Sequence, residues 1–172
     1  MRDNNDLTRA NKLFQNSEYD TLNKDCIIVC YELKTPENIG SIIRLASNFG
    51  CSEVILIIND EIQRSKKIKK IAGAAAGQIK IVYCNSTELW HILPKDYETI
   101  ALETAVNSEN IIDAKFDKNI VFILGNEIKG LSNDMVSKCD RSVFIPMFGK
   151  IKSMNVSHAC AVALYAWRSK IK

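Results

Sequence analysis

Metal-ligating residues are few and scattered in this sequence. It has two histidines, His91 and His158, and six cysteines, at positions 26, 30, 51, 84, 139 and 160. No CxxC pair occurs and neither histidine joins a ligand cluster, so no metal is expected. Most of the cysteines sit in apolar stretches, which predicts reduced, buried thiols. No apolar run approaches the roughly 18 residues of a membrane helix. The N-terminus, MRDNNDLTRANKLF, carries no apolar segment of the signal-peptide kind. The expectation is a cytoplasmic protein with no membrane partner. Nucleotide fingerprints are missing too. No GxGxxG follows the first apolar run, which excludes the ordinary dinucleotide motif. Gly125 and Gly130 have P-loop spacing, but Leu131 stands where the phosphate-binding lysine belongs. No GxSxG elbow is present. Ser157 and His158 are adjacent on a helix, so their side chains diverge by roughly 100°. Charge of one sign is not in large excess: a net +3 permits a nucleic-acid partner without arguing for one.

What is there fits one α/β domain. The 172 residues are 47% apolar and 25% charged, enough for a real core. Residues 1–24 form a polar arm with four basic and four acidic side chains, and Leu7, Ala10, Leu13 and Phe14 recur at helical spacing. Continuous apolar runs then mark buried strands at 26–31, 54–58, 79–83, 99–102, 120–124 and 143–145. Between them, Ile39, Ile42, Ile43, Ala46 and Phe49 form one helical stripe, with Asn38 as its expected N-cap and Gly50 as its end. Short helices are expected at 87–93 and 132–138, and a long one from about Asn155 to Lys170. Residues 103–109 read as polar loop. Strands without alternation, interleaved with helices, predict an open, mostly parallel sheet of about six strands covered by helices.

Ligands of such sheets bind beyond the carboxyl ends of the strands. Two loops lie there, Gly125–Gly130 and Pro146–Ser153. The final helix begins with small residues, which either pack it on the sheet or let backbone approach a ligand or a partner. Arg64–Lys70 holds five basic residues in seven, namely Arg64, Lys66, Lys67, Lys69 and Lys70. Such a run is a solvated face or a set of phosphate contacts.

Three segments, NIGSIIRLASNFG (38–50), ILGNEIKGLS (123–132) and IPMFGKIKSMNVSHACAVALYAWR (145–168), stand in an order that resembles the three motifs of the SpoU, or TrmH-like, RNA 2'-O-ribose methyltransferases, a family of the SPOUT class. The likeness spans roughly residues 25–170, giving a methyltransferase domain at 25–172 after the arm. It implies a C-terminal deep trefoil knot, S-adenosylmethionine (SAM) as cofactor, a homodimer, and methylation of a ribose 2'-hydroxyl in transfer or ribosomal RNA. The want of a large N-terminal RNA-binding domain favours transfer RNA.

Carried onto this chain, the resemblance assigns Asn38 and Arg44 to the first motif, with Arg44 near the 2'-hydroxyl and in contact with RNA. It gives Glu127 the organising of a loop or of a partner's arginine, and Ser153 and Asn155 the holding of a loop beside the 2'-hydroxyl. Leu124, Gly125, Asn126, Gly130, Ile145, Met147 and Met154 would receive the cofactor. On their own chemistry, Arg44 reads as a solvated helix face, Glu127 as a surface carboxylate, and Ser153 and Asn155 as helix caps. The lysine run is added as an RNA contact. Two departures stand out. Ile128 replaces a small glycine, and Met154 replaces a leucine of similar volume. The other reading is a non-catalytic RNA-binding or assembly module that keeps the fold. The dimer is expected to use the small face of the last helix (Ala159, Ala163, Ala166), part of which must also cover the sheet, and the first-motif helix.

Overall fold

The computed structural model describes residues 24–57 and 66–171. Residues 1–23, which hold nearly all of the expected arm, lie outside it, as do Ile58, Arg64 and the Lys66 side chain. In chain order the elements are β1 (Cys26–Tyr31), α1 (Pro36–Asn48), β2 (Glu53–Ile57), α2 (Lys66–Ala72), a 3₁₀ turn (Gly73–Gly77), β3 (Lys80–Cys84), α3 (Ser86–Ile92), β4 (Glu98–Leu102), β5 (Glu109–Asn110), β6 (Ile120–Leu124), α4 (Asn133–Lys138), β7 (Arg141–Phe144) and α5 (Val156–Lys170). The sheet has seven strands in the order β3-β2-β1-β6-β4-β7-β5, and every pairing is parallel.

The continuous apolar runs work as expected because both faces are covered. Along β1, Cys26, Ile28 and Cys30 join a core beneath α1, α2 and α5. Ile27 and Val29 join a second core with Leu89 of α3 and Met135 of α4. The α1 stripe is buried at Ile39, Ile42, Ile43 and Ala46. Each of its isoleucines contributes about 1.5–3 kcal/mol. The cysteines are free thiols, four of them buried. Burial pushes Cys139 up to about 12, with nearby Asp140 adding to the effect.

Two expectations need correction. The sheet has seven strands rather than six. The extra one, β5, pairs Glu109 with Val143 and Asn110 with Phe144; as a two-residue polar edge it has no apolar run to announce it. Asn38 does not cap α1. The helix begins at Pro36, with Thr35 as N-cap, since proline is preset for the first helical position and has no N–H to satisfy. The small face of α5 is partly used within the chain itself. Ala163 is buried and Ala166 packs against the core, while Ala159 lines a cavity. The exposed apolar groups of α5 are Val162 and Tyr165.

Beyond β1 the chain turns outward to β2 on one side, while β6 lies on the other. This reversal opens a crevice at the carboxyl ends of the strands, the usual place for a ligand in an open parallel sheet.

Candidate active site

A cavity of about 810 Å³ lies at that edge, over the ends of β6, β4 and β7. Its volume is within the roughly 300–1,000 Å³ typical of small-molecule sites. Leu102, Leu124, Phe144, Ile145, Met147 and Met154 supply apolar wall. Thr35, Asn38, Glu103, Asn126, Glu127, Ser153 and Asn155 supply polar groups.

The loop after β6 is shaped by its own backbone. The Asn126 side-chain oxygen accepts from the amides of Ile128 (3.0 Å) and Lys129 (3.2 Å), and the Gly130 amide donates back to the Asn126 carbonyl at 2.9 Å. Asn126 Nδ2 donates to the Glu32 carbonyl at 2.7 Å, tying the loop to the end of β1. Both glycines are required by contact. A Cβ on Gly125 would stand 2.4 Å from the Gly130 carbonyl carbon and 2.5 Å from the Leu131 nitrogen. Gly130 has φ +64°, and a Cβ there would meet Glu103 Oε2 at 2.4 Å, so a side chain is excluded by both conformation and space.

A polar chain ties the three motifs together. Glu127 accepts from the amides of Thr35 (2.9 Å) and Lys34 (3.1 Å) and from Asn38 Nδ2 (3.2 Å). Asn38 Oδ1 accepts from Asn155 Nδ2 at 3.1 Å. Asn155 Oδ1 caps α5, accepting from the Ser157 amide at 2.9 Å and hydroxyl at 2.7 Å. Thr35 makes no side-chain cap, so the Glu127 carboxylate serves the start of α1 from another part of the chain, where negative charge is favoured. Burial works to raise the Glu127 carboxyl, but the hydrogen bonds from its own amide, Thr35, Lys34 and Asn38 outweigh it and hold the group below its usual value.

The structure thus gathers Asn38, Leu124, Gly125, Asn126, Glu127, Gly130, Ile145, Met147, Ser153, Met154 and Asn155 around one cavity. It does not bring Arg44 there. Arg44 is exposed on α1, opposite the buried stripe, while the cavity takes only the start of that helix. Lys67, Lys69 and Lys70 are exposed on α2. Lys67 pairs with Glu37, a cavity-lining residue, at 2.6 Å, which holds the Glu37 carboxyl below its usual value. Glu103 and Lys152 are lining residues that the sequence reading missed. Glu103 directly follows β4, so the strand-end rule applied to the other loops points to it as well. Among the described residues, no group of three or more His, Cys, Asp or Glu side chains is placed to hold a metal ion.

Parallel strands covered on both faces, with a half-polar cavity beyond their carboxyl ends, define an α/β domain built to bind a small organic ligand. The chain belongs to the SpoU rRNA Methylase family, whose model matches residues 25–165. It is 27% identical over 147 residues to the tRNA (guanosine(18)-2'-O)-methyltransferase of Aquifex aeolicus, covering 83% of this chain and 68% of that one. It is 29% identical over 138 residues to a 23S rRNA (guanosine-2'-O-)-methyltransferase of Acinetobacter baylyi, covering 78% of this chain and 55% of that one. Among solved structures, the AdoMet-bound rRNA methyltransferase of Sinorhizobium meliloti superimposes with a TM-score of 0.75 at 21% identity, covering 87% of this chain and 57% of that one. The chain therefore spans between about half and two thirds of the length of these relatives.

Proposed function

We propose that the protein transfers a methyl group from SAM to a ribose 2'-hydroxyl of RNA, with the cofactor held in the 810 Å³ cavity. The observation that carries this reading is the Glu127–Asn38–Asn155 network, which joins the three motif segments around one cavity in a family whose relatives bear 2'-O-methyltransferase names. The donor set fits SAM. Leu102, Leu124, Ile145 and Met154 offer apolar wall to an adenine, and the glycine loop offers backbone polar groups. When bound, SAM would supply an electrophilic methyl on a sulfonium, with a neutral thioether as the leaving group. This chain's residues then bind, orient and manage the hydroxyl proton, and orientation alone contributes up to roughly 7–11 kcal/mol in favourable cases. Ser153 and Asn155, beside the cavity, are assigned to the 2'-hydroxyl.

Arg44 is assigned to positioning the RNA phosphate or hydroxyl at the site of a second copy, since it lies outside its own cavity. That requires a homodimer, and the exposed Val162 and Tyr165 of α5, 39% and 68% accessible, supply apolar surface for it. A trefoil knot is part of the same proposal. After β7 the chain crosses back to α1, where Asn155 meets Asn38, a return path of the kind a knot requires. Exposed Lys69 and Lys70, with Lys67 and Lys66, are proposed to follow RNA phosphates. Transfer RNA is taken as the first substrate to test and ribosomal RNA as the second, since relatives named for each match the chain. The work is assigned to the cytoplasm.

The test is single-turnover methylation of transfer RNA and of 23S ribosomal RNA at saturating SAM. Arg44→Ala should lower the rate by roughly 100-fold or more and leave stability within about 0.5 kcal/mol, because the side chain packs against no core. Arg44→Lys should rescue poorly, lacking the planar fork of donors. No methyl transfer to either RNA by wild-type protein that binds SAM would replace this proposal with a binding module. Near-normal turnover by folded Arg44→Ala would remove that residue from the mechanism.

A further inference from the structure

We infer that Glu103, outside the three motif segments, is a positioning residue for the cofactor, acting through the loop after β6. This rests on the reading of the cavity as the SAM site. Glu103 stands on rigid backbone. Its amide donates to the Val143 carbonyl at 3.0 Å, extending the β4–β7 ladder, and its carbonyl accepts from Ser108 Oγ at 2.9 Å. The carboxylate turns toward the neighbouring loop, where Oε2 accepts from the Leu131 amide at 2.8 Å and occupies the place of a Gly130 side chain. On the other side of the same peptide lies Gly125, again with no room for a Cβ. The Gly130–Leu131 peptide is therefore clamped between Gly125 and a carboxylate, with no side chain intervening.

The clamp has a counterpart. Asn126 and Glu127 fasten the loop to the end of β1 and the residues before α1; Glu103 fastens its far end to β4. Among the described residues the Glu103 carboxylate has no cationic partner, and its remaining hydrogen bond is to the adjacent Thr104 amide at 2.9 Å. Glu37, by contrast, is paired with Lys67. A bond to an ionised acceptor is roughly twice as strong as a neutral one, so the carboxylate suits a backbone wall that must keep its shape while a ligand enters and leaves. Releasing Leu131 frees the β4 side of that wall, which faces any ligand carrying the adenosine moiety.

The experiment compares wild type, Glu103→Ala, Glu103→Gln and, at the opposite wall, Ile145→Asp. Calorimetry gives Kd for SAM and for its demethylated product, S-adenosylhomocysteine, and amide hydrogen exchange is followed at Leu131. Glu103→Ala should weaken both ligands by the same factor, about tenfold, the worth of one charge-assisted hydrogen bond. Leu131 exchange should accelerate in parallel. Glu103→Gln should recover part of the loss, since its amide oxygen still accepts from Leu131; it also carries the test if the alanine variant does not fold. A folded Glu103→Ala protein with unchanged SAM affinity, or with Leu131 still protected, overturns the inference. Weakened SAM with unchanged product affinity overturns it as well, because the carboxylate would then meet the sulfonium charge directly. If Ile145→Asp leaves SAM binding intact, the cavity is not the cofactor site and the inference falls with that reading.

Discussion

The two loops at the carboxyl edge of the sheet differ in how their backbones are tied. Residues 125–130 are held by internal bonds to Asn126 and by Glu32, Lys34, Thr35, Asn38 and Glu103 around them. Residues 146–153 have Lys152 Nζ on the Met147 carbonyl at 2.9 Å, and they leave Phe148 90% and Ile151 78% exposed. Both border the same cavity. One is finished before any ligand arrives. The other is less tied; its Phe148 and Ile151 stand uncovered, as Ile128 of the first loop does at 90%, available to RNA, cofactor or a second copy. A rigid wall facing an uncommitted one suits a site that must hold a small molecule firmly and admit a large one.

That contrast can be broken most severely at Gly125. Its missing Cβ makes room for protein backbone, so even alanine collides with the Gly130–Leu131 peptide. Gly125→Ala should cost about 3 kcal/mol by denaturant unfolding. A cost below about 0.5 kcal/mol would mean that the loop is not closed as described. A bulky residue such as tryptophan should therefore unfold the site before it competes with a ligand.

Glu127 gives the next effect. Glu127→Gln should lose about 1–2 kcal/mol, since one carboxylate serves two amides and Asn38. The dependence on pH fixes the sign. The folded carboxyl lies below its ordinary value, so its contribution is fully present above about pH 4.3 and is lost as pH falls through the folded value. The stability gap between wild type and Glu127→Gln should be widest at neutral pH and shrink below about pH 4. A gap that grows in acid would contradict the hydrogen bonding described here.

The smallest effect on stability is expected at Phe148. Phe148→Ala should change unfolding by less than about 0.5 kcal/mol while weakening RNA binding, measured by filter retention or fluorescence anisotropy. A loss of several kcal/mol in stability would show that the loop is packed and the contrast false.

The sequence carried the sheet well where burial on both faces left continuous apolar runs, as at Ile120–Leu124. It did not carry β5, because a polar pair at an exposed edge has the composition of a loop. Asn38 shows how a local rule can name the right residue for the wrong reason. Its side chain is polar and near a helix start, but it bridges Glu127 and Asn155, residues far along the chain. Glu103 escaped for a related reason. Following Leu102 in a polar stretch, it has the look of a solvated carboxylate until β4 and β6 are placed side by side. The cavity residues came instead from three motifs in order, a pattern that periodicity alone does not supply.

The service that Glu127 gives to α1 also bears on how the chain is made. The helix starts at Pro36, yet the carboxylate that holds the two amides leading into it, those of Lys34 and Thr35, is 92 residues away from Thr35 in sequence. On the ribosome, α1 is fully synthesised long before Glu127 emerges. The bonds that fix its entry form only after β6 joins β1, because that contact needs a long loop to close. The approach to the helix that carries Arg44 is thus completed only when the late half of the protein has docked, and the site with it.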